Sequence, residues 1–172
     1  GSRSWLFQFR RALRCRHVGK LALALLEPFE IGPIFTPPSV ATPDGTLGTL
    51  MLPSTGGGIN WPGGSFDPET GIAYLYSTTV VSALGLFNDP EQSDMNFIRG
   101  RAREISAADA ALNIDGIPLV KPPWGRITAI DLKQGDIMWQ VAHGETPDNI
   151  KNHPLLQGID IPRTGRVGRV GT

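Results

Sequence analysis

From residue 47 onward the apolar positions fall in short runs that alternate with polar ones. Alternation with a period of two marks a strand with one face toward a core, whereas a period near 3.6 marks a helix. By that rule Leu47–Leu52 is a short strand, and Ser65–Phe66 and Ile72–Ser77 are strands flanking a turn. Arg126–Leu132 and Ile137–Ala142 form a second strand–turn–strand. Helical spacing occurs in two places. Trp5, Leu6, Phe9 and Leu13 share one helical face within residues 1–26, and a short helix is expected near Ser106–Leu112. There the Ser106 hydroxyl would accept a free backbone N–H at the helix start. Pro28, Pro33, Pro37 and Pro38 exclude a regular helix after Glu27, since proline lacks an N–H and pushes the preceding residue toward extended geometry. Residues 80–118 read as polar and irregular, and residues 143–172 read as loops.

The two strand–turn–strand segments are copies of one pattern. Ser65-Phe66-Asp67-Pro68-Glu69-Thr70-Gly71-Ile72-Ala73-Tyr74-Leu75 recurs as Ala129-Ile130-Asp131-Leu132-Lys133-Gln134-Gly135-Asp136-Ile137-Met138-Trp139, 64 residues further on. Each conserved-in-pattern position has a mechanical reason. Asp67 and Asp131 can accept backbone N–H bonds across a turn. Gly71 and Gly135 supply the left-handed backbone that closes a short hairpin. Trp139 is expected to bury a flat ring at the end of the return strand, where neighbouring sheets stack on it. Both aspartates are therefore read as turn residues. Hairpin repeats of this kind suggest blades of a β-propeller, with residues 80–123 as an insertion. Two copies make about two blades, so the chain is expected to be a piece of a larger protein.

Composition agrees with a turn-rich β chain. Gly (21) and Pro (15) together make about a fifth of the 172 residues, against roughly 12% in an average protein. That excess excludes a long-helix bundle. The net charge of +0 is unevenly spread. Arg3, Arg10, Arg11, Arg14, Arg16 and Lys20 lie in residues 1–26 with no acid, so the rest of the chain carries the matching negative excess. That body has no electrostatic footprint for nucleic acid. The single cysteine, Cys15, excludes an intrachain disulfide and a cysteine-built metal site. No apolar run approaches the roughly 18 residues of a membrane span, and Leu21–Leu26 is shorter than a signal-peptide core. Residues 1–26 are read as a basic leader or non-native tail, with a membrane-surface helix and a nucleic-acid arm as the other readings. Residues 27–172 are read as a propeller-blade fragment.

Three strings carry a family resemblance. They are Phe35-Thr36-Pro37-Pro38-Ser39, then Gly57-Gly58-Ile59-Asn60-Trp61, then Pro122-Pro123-Trp124-Gly125-Arg126 running into Ala129-x-Asp131-x-x-x-Gly135-x-x-x-Trp139. In this order they resemble the quinoprotein dehydrogenases, eight-bladed propellers that bind pyrroloquinoline quinone (PQQ), and within them the glucose/quinate type. The resemblance covers residues 28–172. It implies an all-β fold: a partial β-propeller, about two blades of the eight, with long irregular loops. Leu75, where the first repeat might have tryptophan, departs from the pattern.

The resemblance implies cofactor contacts at Asn60 and Trp61. PQQ is a planar ortho-quinone with three carboxylates, and an amide N–H can donate to a quinone oxygen as charge builds there. The residue-level alternatives are that Asn60 caps the Gly-rich loop and that Trp61 packs between blades. The resemblance further implies a Ca²⁺ ion and an aspartate base, both supplied by blades outside this chain, so no catalytic or metal-binding residue is assigned in it. The implied reaction is oxidation of a sugar or polyol with electron transfer to a quinone or cytochrome, at or facing the periplasm. A non-catalytic propeller scaffold or binding module is the rival class. Trp124 is read as blade packing, and His143 and His153 as surface histidines. Arg163, Arg166 and Arg169 are read as a solvated series that can face an acidic ligand.

Overall fold

The computed structural model describes residues 16–100 and 112–168. Its helices are α1 (Arg16–Leu26) and the short α2 (Asp148–Lys151). Its strands are β1 (Ser39–Val40), β2 (Thr49–Met51), β3 (Gly64–Asp67), β4 (Ile72–Thr78), β5 (Ser82–Phe87), β6 (Ile98–Arg99), β7 (Asn113–Ile114), β8 (Ile117–Pro118), β9 (Gly125–Asp131) and β10 (Asp136–Ala142). A single 3₁₀ turn covers Pro154–Leu156. The described chain divides into two units. One is built from Gly56–Val80 and the segment after Val120, the other from the chain up to Thr55 and Val81–Leu119.

The first unit is a four-stranded antiparallel sheet in the order β10-β9-β4-β3. The repeats form its two hairpins. Gly71 and Gly135 take φ of 78° and 77°, and their N–H groups donate to Asp67 O at 2.8 Å and Asp131 O at 2.7 Å. The Asp67 carboxylate accepts from Glu69 N–H at 2.9 Å and from the Thr70 hydroxyl at 2.6 Å. The Asp131 carboxylate accepts from Lys133 N–H at 2.8 Å. Both aspartates are turn residues, as their spacing from the glycines requires.

The two copies share one blade instead of occupying one blade each. β4 and β9 pair along their whole length, from Ile72 opposite Asp131 to Thr78 opposite Gly125. A lone hairpin leaves both its edges unpaired and is marginal in water. Joining the inner strands satisfies one ladder of backbone groups in each. The long stretch between the copies therefore leaves the sheet after its second strand and returns for the third.

Both faces of this sheet are apolar. Cross-strand partners share a face. Tyr74, Tyr76, Ala129 and Trp139 lie on one, with Tyr76 and Ala129 buried and the Tyr74 and Trp139 ring centroids 5.9 Å apart. Phe66, Leu75, Ile130 and Ile137 lie on the other. A register shift between Ile137 and Trp139 sets the first opposite Ile130 and the second opposite Ala129, so these two residues point to opposite faces. Trp139 departs from expectation. It is 42% exposed, because β10 is an edge strand and the ring is supported from the β9 side only.

In the second unit β5 is central, pairing parallel with β1 and antiparallel with β2 and β6. Residues 80–118 read as irregular in sequence, yet Ser82–Phe87 is a strand held by three partners. Its core packs Phe29, Leu47 and Leu112 against Leu25, Leu50, Val81, Ala83 and Leu119. Each such side chain contributes roughly 1.5–3 kcal/mol when fully removed from water. The helical character expected in residues 1–26 is present over Arg16–Leu26, and Leu25 joins that core. The Trp5–Leu13 face lies outside the described residues. So does the expected helix from Ser106; its last residue, Leu112, has φ of 50° and is not helical.

Candidate functional site

Opposite the aspartate turns, the other end of the four-stranded sheet gathers five backbone segments. Thr78 N–H donates to Gly58 O at 2.7 Å, which ties the Gly-rich loop to the end of β4. Thr79 N–H donates to Trp124 O at 2.9 Å, and Trp124 N–H to Thr164 O at 2.8 Å. His143 N–H donates to Gly125 O at 2.9 Å, and Arg166 N–H to His143 O at 2.8 Å. The Tyr76 hydroxyl donates to Arg166 O at 2.7 Å and closes the set. Gly125 makes this crossing possible: a β-carbon on it would stand 1.9 Å from Arg166 O and 2.9 Å from the Tyr76 hydroxyl.

Within the loop, Gly57 has φ of 80° and Asn60–Gly63 forms a turn closed by Gly63 N–H to Asn60 O at 2.9 Å. The Asn60 side-chain oxygen accepts from Trp61 N–H at 2.8 Å. Its amide nitrogen reaches Gly56 O only at 3.4 Å. Asn60 thus caps the loop with its oxygen, while its second N–H has no acceptor among the described residues. Trp61 stands 87% exposed, with its indole face open.

Other residues of interest resolve structurally. Trp124 is 3% exposed and its indole N–H donates to Val120 O at 2.8 Å, so it packs. The two histidines read as surface residues are not. His153 is 9% exposed, and its Nδ1 accepts from Leu155 N–H at 3.2 Å, capping the 3₁₀ turn. His143 packs edge-on against Tyr76, with centroids 5.3 Å apart. Arg163 pairs with Glu145 at 2.5 Å, an exposed contact that contributes little. Arg166 holds the site through its backbone, and Arg169 lies outside the described residues. Burial raises the Tyr76 hydroxyl above its ordinary pKa, against a smaller lowering by the Gly168 backbone. The Thr70 hydroxyl, with Glu69 N–H, holds Asp67 below its ordinary value.

The sequence reading missed two features here. One is the Thr164–Arg166 strap, whose signal was the pair Gly125 and Gly165 outside any hairpin. The other is Arg126, on β9 opposite Ser77, whose guanidinium donates to the Thr79 hydroxyl. An amide N–H to spare, an exposed indole face and a half-buried guanidinium form a donor set that suits a flat, oxygen-rich, anionic ring system such as PQQ. Among the described residues no group of three or more His, Cys, Asp or Glu side chains gathers to hold a metal.

Comparison with known proteins identifies the context. The β-propeller domain of glucose/ethanol/alcohol dehydrogenases, the PQQ family, matches residues 5–172. Quinoprotein glucose dehydrogenase A of Acinetobacter calcoaceticus is 27% identical over 150 residues, covering 81% of this chain and 18% of that protein. Quinoprotein glucose dehydrogenase of Escherichia coli (strain K12) is 32% identical over 131 residues, 68% of this chain and 16% of that protein. The probable quinate dehydrogenase (quinone) of Xanthomonas campestris pv. juglandis is 29% identical over 159 residues, 76% of this chain and 20% of that protein. The chain thus spans a fifth or less of the relatives' length. No solved structure matches it significantly. Two repeat hairpins fused into one blade with both faces apolar, and a family match over nearly every residue, agree: this chain belongs to the PQQ-binding β-propeller family of the quinoprotein dehydrogenases.

Proposed function

We propose that this chain forms part of a PQQ-dependent dehydrogenase that oxidises a sugar or polyol, with the Gly57–Trp61 loop at the cofactor. The carrying observation is that loop's state: it is tethered to the sheet end through Gly58 while the Asn60 N–H and the Trp61 face remain uncommitted. The names of the relatives, which include glucose and quinate dehydrogenases and the glycerol dehydrogenase large subunit of Gluconobacter thailandicus, support that substrate class. PQQ, when bound, supplies the two-electron acceptor for the hydroxyl carbon. Asn60 donates a hydrogen bond to a quinone oxygen, and its own oxygen, fixed by Trp61 N–H, keeps the amide from flipping. Trp61 covers one face of the ring and sheds water from it. Calcium, where present, is held by residues elsewhere in the whole protein, as is the base that takes the alcohol proton. Electrons leave to a quinone or cytochrome, and the enzyme works in or facing the periplasm. No helix among the described residues is long and apolar enough to cross a membrane.

The test is a PQQ titration of the full-length protein followed by quinone absorbance. Native protein shifts the absorbance and saturates, and Asn60→Ala weakens binding about tenfold, the scale of one hydrogen bond to a charged acceptor. An unshifted spectrum would overturn the assignment in favour of a scaffold propeller.

A further inference from the structure

We propose that Arg126 is a carboxylate-binding residue of this site. The inference rests on the site reading above and extends it to the charge of what is bound. Arg126 sits in β9 opposite Ser77, one position from the end of the sheet. Its guanidinium is half-buried and is held by a neutral partner, the Thr79 hydroxyl. The next residue back, Thr78, holds Gly58 of the Gly-rich loop. Two short links therefore join the guanidinium to the loop that presents Asn60 and Trp61.

Arginine carries five N–H donors in a rigid fork and stays charged at any relevant pH. One donor is used here. Among the described residues the ion pair is Arg163 with Glu145, and no carboxylate lies within ion-pair distance of Arg126. Half-burying a cation is costly unless an anion or several acceptors compensate it, and a bidentate carboxylate matches the fork. The Thr79 hydroxyl fixes the orientation of the fork without neutralising it, which suits a ligand site better than a structural ion pair.

A carboxylate can come from two sources, the cofactor or a substrate of the hydroxy-acid class. The experiment separates them in the full-length protein. Arg126→Gln can keep the bond to Thr79 and removes the charge; Arg126→Lys keeps charge without the fork. Circular dichroism confirms that each variant folds. PQQ binding is followed by quinone absorbance, and quinate and glycerol binding by fluorescence of the exposed Trp61. The proposal expects at least a tenfold loss in Arg126→Gln for PQQ or for quinate, partial recovery in Arg126→Lys, and glycerol binding within threefold of native. Loss confined to PQQ assigns the cofactor; loss confined to quinate assigns the substrate. PQQ and quinate affinities both within threefold of native in Arg126→Gln would overturn the proposal, as would no binding of either by native protein. If native protein fails to bind PQQ but binds quinate through Arg126, the cofactor reading falls and Arg126 stands.

Discussion

Gly125→Ala tests the crossing that holds the site together. The glycine has ordinary negative φ, so alanine carries no backbone strain there. In a permissive position the change would stabilise by about 0.4–1 kcal/mol, because the unfolded chain loses freedom. Here the added carbon would lie 1.9 Å from Arg166 O and 2.8 Å from Arg166 C, and backbone cannot swing aside as a side-chain tip does. The strap must lift. Lifting it breaks three hydrogen bonds: Trp124 N–H to Thr164 O, Arg166 N–H to His143 O, and the Tyr76 hydroxyl to Arg166 O. At about 1 kcal/mol each, the loss is about 3 kcal/mol, and the entropic gain leaves about 2–3 kcal/mol net.

The readout is native-state hydrogen exchange at Trp124 N–H, which reports local opening of this crossing. At about 1.4 kcal/mol per tenfold, exchange should speed by roughly 30- to 150-fold. Tyr76→Phe is the graded control. It removes one of the three bonds and should speed the same amide about fivefold. Exchange in Gly125→Ala within twofold of native would refute the reasoning, since it would mean that the strap is not pinned where the two backbones meet.

Gly135→Ala should cost about 1–2 kcal/mol in urea unfolding, because its φ of 77° is left-handed while the space beside it is open. Gly71→Ala should cost the same, since the only obstacle is the flexible Lys133 side chain; a much larger loss would show that Lys133 is fixed. Thr70→Val should raise the Asp67 pKa toward its ordinary value of 3.8, read by carboxyl NMR titration; an unmoved pKa would exclude the hydroxyl as the cause. Because the folded-state pKa of Asp67 is the depressed one, its contribution to hairpin stability is present above pH 4 or so and is lost as pH falls through the folded value. The chain of residues 1–172 mixed with PQQ, Ca²⁺, glucose and an artificial electron acceptor should show no turnover, as the implied base and calcium ligands belong to other blades; measurable turnover would contradict that division of labour.

The hairpins were legible because their chemistry is local. An aspartate four residues before a glycine closes a turn whatever surrounds it, and both copies do so with the same bonds. The family was legible for a related reason, since Gly57–Trp61 and Pro122–Arg126 are strings whose residue types are unusual together. Strand β5 was not legible. Its run of Ala83, Leu84, Gly85, Leu86 and Phe87 neither alternates nor lacks a breaker, and it becomes a strand because three other segments pair with it. His153 was misjudged because a polar neighbourhood in sequence says nothing about a ring that caps a 3₁₀ turn from inside. The sharing of one sheet by both repeats was hidden by the excursion between them, which a spacing argument counts as an insertion and the chain uses to build a second sheet.

The site end of the sheet shows the deeper reason why spacing arguments fail there. Gly58 to Thr78, Thr79 to Trp124, Trp124 to Thr164, Gly125 to His143 and His143 to Arg166 are all backbone–backbone bonds between distant segments. Such bonds accept almost any side chain, so they leave no pattern. They leave a trace only where two backbones come too close for a β-carbon. Gly125 and Gly165 meet in that way, each with room for hydrogen alone: a β-carbon on Gly165 would stand 2.0 Å from Gly125 O. A glycine inside a strand, paired with a second glycine in a distant loop, therefore marks where segments cross. In this chain that crossing fixes β9 at the residue before Arg126, so the orientation of the one cation beside the Gly-rich loop is set by two positions that carry no side chain at all.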